Sequence, residues 1–136
     1  MFIFKFILCI LLILLLNCNI SYSVNPTPTG NIARPDTNGL ISSKLGDTIE
    51  LKILNTAFDG GYTWNIISNF DSSKAKYITH KTKYTGTRGI DGAPMYEIWN
   101  FYALNEGNTT LLMKLFRVFE PKDIISSKIY QLTILK

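Results

Sequence analysis

The sequence predicts an all-β protein, an immunoglobulin-like β-sandwich of about seven strands, and three observations carry that prediction. Apolar residues alternate with polar ones at a period of two in short runs bounded by turn residues, as in Ile49, Leu51 and Ile53 against Glu50 and Lys52. After the N-terminal leader, no stretch carries a 3.6-residue apolar pattern. The runs also recur at the spacing of a sandwich within roughly 100 residues.

In chain order, residues 1–23 have the three parts of a secretory signal: Lys5, the apolar run Phe6 to Leu16, and a polar stretch from Asn17 to Ser23. Ser21 and Ser23 are small enough for a signal peptidase, so cleavage is expected after Ser23. The run falls short of the ~20 apolar residues that a membrane anchor needs. The expected location is therefore outside the cell, or the lumen of an endomembrane or lysosome-like system, with no membrane attachment after cleavage. Residues 24–39 are rich in Pro, Thr, Asn and Gly and read as a flexible arm. One domain is expected over residues 40–136.

Within that domain a short strand is expected at Leu40 to Lys44, and the turn Gly46-Asp47 leads into Thr48 to Leu54. Strands follow at Tyr62 to Ile67, Lys76 to Tyr84 and Met95 to Leu104, the last apolar on both faces. Asn105 to Asn108 reads as a hairpin turn into Thr109 to Arg117, and Lys128 to Leu135 closes the fold. Three segments read as loops: Asn55 to Gly61, Tyr84 to Pro94 and Val118 to Ser127. Alternate connections of an up-and-down sandwich emerge at one end, so these three are expected to share a surface, where binding function is commonly placed.

Composition narrows the function. The net charge of +4 is too mild to imply nucleic acid, and the sequence cluster Lys74, Lys76, Lys81, Lys83 and Arg88 reads as a solvated strand face. Both cysteines, Cys9 and Cys18, lie in the leader, so the domain has neither disulfides nor a thiol. With a single histidine, His80, in a polar strand, no Cys/His pair or zinc cluster can be assembled. His80 is expected to face solvent. Asp59 and Asp91 would form a carboxylate pair only if their loops met, and acids in Gly-containing turns usually bond their own backbone. The chain is therefore expected to bind rather than catalyse, as a monomer, with no cofactor and no metal.

The three loops carry a resemblance. Gly61-Tyr62-Thr63-Trp64, entered from Asn55, resembles the Asn-Pro-Thr-Thr-Gly-Tyr-x-Trp segment of the chagasin-type inhibitors of papain-like cysteine peptidases (inhibitor family I42). Leu45-Gly46-Asp47-Thr48-Ile49-Glu50-Leu51 fits the same family. Gly89-Ile90-Asp91-Gly92 before Glu97-Ile98-Trp99-Asn100-Phe101 is similar to its glycine loop and following strand, and Arg117-Val118-Phe119-Glu120 stands in the place of its Arg-Pro-Trp/Phe loop. The resemblance covers about Leu40 to Lys136.

It implies reversible, non-covalent inhibition of papain-like, cathepsin L-type peptidases, whether the cell's own or a host's, by three loops that occlude the active-site cleft. Peptidase-contacting residues would be Asn55, Thr56, Phe58, Asp59, Gly60, Gly61 and Tyr62, with Phe58 to Gly61 as the central wedge, and Gly89, Ile90, Asp91 and Gly92 on one side. On the other side, Arg117 and Phe119 would be anchors, with Val118 between them. The central loop departs from the family pattern: Thr56-Ala57-Phe58-Asp59-Gly60 replaces Pro-Thr-Thr and is longer by two residues. Val118 takes the place of a stiffening proline, which adds ordering entropy to docking.

Plainer roles compete with these: a positive-φ turn at Gly60 and Gly61, a Phe119 folded back under its loop, and an Arg117 that merely snorkels. Trp64 and Trp99 belong to the core. The rival function is a secreted adhesion or carbohydrate-binding module, with Tyr77, Tyr84 and Tyr96 as its stacking platform.

Overall fold

The computed structural model describes residues 25–67, 70–86 and 92–136. The signal expected over residues 1–23 lies outside them, as do Gly89, Ile90 and Asp91. Eight strands are present: β1 (Ile32–Ala33), β2 (Leu40–Lys44), β3 (Thr48–Asn55), β4 (Tyr62–Ile66), β5 (Ala75–Tyr84), β6 (Met95–Ala103), β7 (Gly107–Arg117) and β8 (Glu120–Leu135). They form two four-stranded sheets, ordered β1-β3-β6-β5 and β2-β8-β7-β4. The fold is the expected immunoglobulin-like β-sandwich.

Alternation in the sequence becomes burial in the structure. Ile49, Leu51 and Ile53 of β3 pair in register with Phe101, Trp99 and Glu97 of β6 and face inward. From the other sheet Trp64, Leu111, Met113, Leu115, Leu132 and Ile134 meet them. Each fully buried side chain of this size contributes ~1.5–3 kcal/mol relative to exposure, which is how a cysteine-free domain holds together.

Three expectations for the elements are corrected. The chain at Asn105 and Asn108 does not turn a hairpin, because β6 and β7 belong to different sheets; it passes from one sheet to the other across an end of the sandwich. Part of the segment read as a free arm is fastened instead: β1 pairs parallel with β3, the Thr29 hydroxyl donates to Asp47 Oδ1 at 2.6 Å, and the Tyr102 hydroxyl donates to the Pro26 carbonyl.

The third correction concerns Val118 to Ser127. Only Val118 and Phe119 form the turn, and Glu120 already begins β8. The disguise is irregular pairing: Leu115, Phe116 and Arg117 face Ser126, Ile124 and Glu120 in succession, so Ile125 and then Pro121, Lys122 and Asp123 are extra residues on β8. Proline is tolerated there because a bulge does not require its missing N–H.

Candidate functional site

The three connections do share one end. Asn55 and Tyr84 both pair with Met95, while Tyr62 and Glu120 both pair with Arg117, so the β3–β4 connection, the base of the β5–β6 loop and the β7–β8 turn all leave from that side. The β3–β4 connection carries the chain from one sheet to the other and therefore lies between its two neighbours. It is one turn of 3-10 helix, Phe58–Gly60, closed by Gly61 in the left-handed region at φ 78° with its N–H on the Phe58 carbonyl. Gly60 needs no positive φ.

The neighbours touch this loop. A Cβ on Gly92 would lie 3.5 Å from Asp59 Oδ2, and one on Gly61 would lie 3.9 Å from the Phe119 ring. Arg117 fastens the two sides: its Nε–H donates to the Gly60 carbonyl at 2.8 Å, its Nη1 donates to Glu120 Oε2 at 3.1 Å, and its guanidinium sits 4.6 Å from the centre of the Tyr62 ring. The Tyr62 hydroxyl donates to Asp123, one of the extra residues of β8. This hydrogen bond holds the Tyr62 phenol above its ordinary range.

The expected contact residues therefore divide. Phe58 (37% exposed), Val118 (66%) and Phe119 (75%) present apolar surface to solvent, with Thr56, Asp59, Gly60 and Gly61 exposed among them. Phe119 does not fold back under its loop. Asn55 is a correction: its side chain is fully buried, accepting from the Ala57 N–H at 2.9 Å and donating to the Tyr62 carbonyl and to Glu97 Oε1 at 2.7 Å each, so it cannot touch a partner. Arg117, expected as a charged anchor, uses its Nε–H and one Nη1–H inside the molecule, where it acts as a strut between the loop and the β7–β8 turn. Of the glycine loop only Gly92 lies within the described residues, at φ 76°.

His80 is a second correction. It faces inward, stacked on Trp99 at 4.0 Å with Nε2 2.9 Å from Glu97 Oε2. The cause is a bulge between Tyr77 and Thr79, which reverses the inside-outside parity of β5 so that Tyr77 and His80 both pair with inward residues. Sequence reasoning missed Glu97 altogether, although its phase with Trp99, Phe101 and Ala103 was a signal that it points into the core. The rival tyrosine platform does not form: Tyr77 packs on Trp99 and Phe101, whereas Tyr96 lies on the opposite face under Lys52.

No cluster of three or more metal-ligating side chains occurs among the described residues. What this end offers is a braced, apolar-tipped set of loops, and the class it defines is a β-sandwich that binds a partner through preorganised loops. The sequence pattern of the chagasin family peptidase inhibitors, I42, matches residues 42–134. The chain belongs to that family, whose members are peptidase inhibitors and not enzymes.

Three solved structures share the fold. The cysteine protease inhibitor EhICP2 from Entamoeba histolytica is 20% identical, with 79% of this chain and 99% of that one covered at a TM-score of 0.62. PbICP-C, solved in complex with falcipain-2, is 16% identical over 82% of this chain and 95% of its own, at a TM-score of 0.51. Amebosin, known from a solution structure, is 16% identical over 77% and 95%, at 0.50. A search of curated proteins finds no match.

Proposed function

We propose that this chain inhibits papain-like cysteine peptidases reversibly and without a covalent bond, by seating its loop end in the substrate cleft. The observation that supports this most is the juxtaposition of the short 3-10 turn with the exposed Phe58, Val118 and Phe119, on a domain that carries no cysteine nucleophile. Inhibition of this kind needs none: a wedge that fills the cleft but offers no peptide bond in attack geometry is not cleaved. Phe119 and Val118 supply the buried apolar area of an interface centre. Gly60, Gly61 and Gly92 let backbone approach where a side chain would clash.

Rigidity makes this effective, because loops ordered beforehand lose less entropy on docking. The stiffening that a proline would give at Val118 is replaced here by the Arg117 strut and by pairing that resumes at Glu120. The leader pattern of residues 1–23 supports export, placing the inhibitor outside the cell or in an endomembrane lumen; N-terminal sequencing of the exported protein would read Val24 first.

Titration of the purified protein against papain and a cathepsin L-type peptidase, with trypsin as control, tests the function. Stoichiometric, reversible inhibition of the cysteine peptidases alone is expected. A folded sample that inhibits neither at micromolar concentration overturns the reading.

A further inference from the structure

A carboxyl group on the inner face of a β-sandwich is costly to bury, and an apolar residue of similar volume is often as good or better for stability. Glu97 is fully buried near the start of β6, between Met95 and Trp99 on the inward face. Its surroundings show what the acid holds. Oε1 accepts from Asn55 Nδ2 at 2.7 Å and from the Trp64 backbone N–H at 3.0 Å; Oε2 accepts from the Thr63 hydroxyl at 2.9 Å and lies 2.9 Å from His80 Nε2.

Two of these partners follow the central loop and one precedes it. Asn55 is the last residue of β3, and Thr63 and Trp64 open β4. β4 is the edge of its sheet, so the Trp64 N–H that turns away from β7 has no strand to meet, and Glu97 takes that place from the opposite sheet. Asn55 passes the constraint into the loop through the Ala57 N–H and the Tyr62 carbonyl. Trp64 Nε1 adds a bond to the Leu54 carbonyl at 3.2 Å, tying the two feet directly.

We propose that Glu97 is the positioning residue of the central loop, a buried acceptor on one sheet that fixes both feet of the loop as it crosses to the other. Its consequence for affinity rests on the inhibitory reading above; its geometry does not. His80, stacked on Trp99, closes the far side of the carboxyl group and holds Oε2 toward Thr63.

The test combines hydrogen exchange on the whole protein with inhibition of papain. In Glu97→Leu the feet lose their acceptor, and the Ala57 and Gly61 amides are expected to exchange at least ~10-fold faster while amides of Phe101 and Leu115 keep their protection. The inhibition constant rises about 10-fold through lost preorganisation. Glu97→Gln keeps an acceptor oxygen for Asn55 and Trp64 and is expected to restore both readouts to within about 3-fold. If Glu97→Leu does not fold, Thr63→Val decides, since it removes a bond between one foot and Glu97, leaves the Asn55–Ala57 bond in place, and predicts loosening of the same amides.

Native loop protection in the first variant that folds overturns the proposal. So does a Glu97→Gln protein as loose as the disrupted variant, because charge and not acceptor geometry would then set the loop. If the parent protein inhibits no peptidase, the proposed function falls while the exchange rates still decide the role of Glu97.

Discussion

At the end of the sandwich where β2 turns into β3, Asp47 accepts from the Thr29 hydroxyl at 2.6 Å and the Lys44 N–H at 2.7 Å, and its carbonyl takes the Ala103 N–H. Nearby, Lys74 reaches the Glu106 carbonyl and Asn105 reaches the carbonyl of Ser73. At the opposite end, Arg117, Asn55, Glu97 and the Tyr62–Asp123 pair form a comparable brace. The two differ in what the bracing carries. At the Asp47 end its polar side chains close connections upon one another. At the other end it holds up Phe119 and Val118, the two most exposed large apolar side chains among the described residues. Exposed apolar surface on a rigid frame contributes nothing to folding, and adjoining patches of it mark interaction sites.

The sharpest way to break this comparison is to change each end and ask which property follows. Phe119→Asp is expected to weaken inhibition of papain-like peptidases by about 100-fold or more, because it puts a charge at the centre of the interface. Its melting temperature should match the parent's. If the inhibition constant does not move, the apolar tip is not the contact.

Asp47→Ala should do the reverse, costing about 1–3 kcal/mol of stability by stranding the Thr29 and Lys44 donors, with inhibition unchanged while the protein is folded. Acid gives the same contrast. The Thr29 hydroxyl first, and then the Lys44 N–H, hold the Asp47 carboxyl below its usual range. A carboxyl with a depressed folded pKa lends stability above its unfolded pKa of about 3.9 and loses it as pH falls through the folded value. Denaturation followed from pH 6 downward should therefore show a smaller loss below pH 4 in Asp47→Ala than in the parent; equal curves would remove Asp47 from that role.

Third in size is Arg117→Lys. The charge survives, but an ammonium cannot hold the Gly60 carbonyl and Glu120 with the same planar fork, so the central loop and the β7–β8 turn are uncoupled. About 10-fold weaker inhibition at unchanged melting temperature is expected. Undiminished affinity would make the strut irrelevant to docking.

The strands were legible because a half-buried strand writes its two faces into alternate residues: Ile49, Leu51 and Ile53 could point only inward. The shared end of the three loops followed from strand order alone, and the family motifs named Phe119 and the glycines. What escaped depended on parity changes and on partners distant in sequence. A single bulge at Tyr77 and Thr79 turned His80 from the expected solvent face to the core. Pro121 and Asp123 hid the first half of β8, because extra residues on one strand erase alternation without ending the pairing. Asn55 was read as a contact since its motif adjoins the loop tip, but its three bonding partners include Glu97, which lies 42 positions away. A hydrogen bond between polar side chains leaves no periodicity behind.

The smallest expected effect concerns the link between the extra residues of β8 and the loop end. Tyr62 and Tyr130 both have phenols held above the ordinary range, Tyr62 chiefly by its hydrogen bond to Asp123 and Tyr130 by burial. In Asp123→Ala the Tyr62 hydroxyl loses its acceptor, so its ionisation should move back toward the usual value near 10, while Tyr130 stays high. A raised folded pKa means that the stabilising bond is fully present below the unfolded pKa and disappears as pH rises through the folded one. Absorbance titration of the phenolates should thus show one late component fewer in the variant than in the parent. Inhibition should weaken by no more than about 3-fold, because the Tyr62 ring keeps its place under Arg117 and the Gly60 carbonyl keeps its donor. An unchanged titration in the variant would show that the irregular stretch of β8 does not reach the loop end, leaving Arg117 to connect the β7–β8 turn to the central loop.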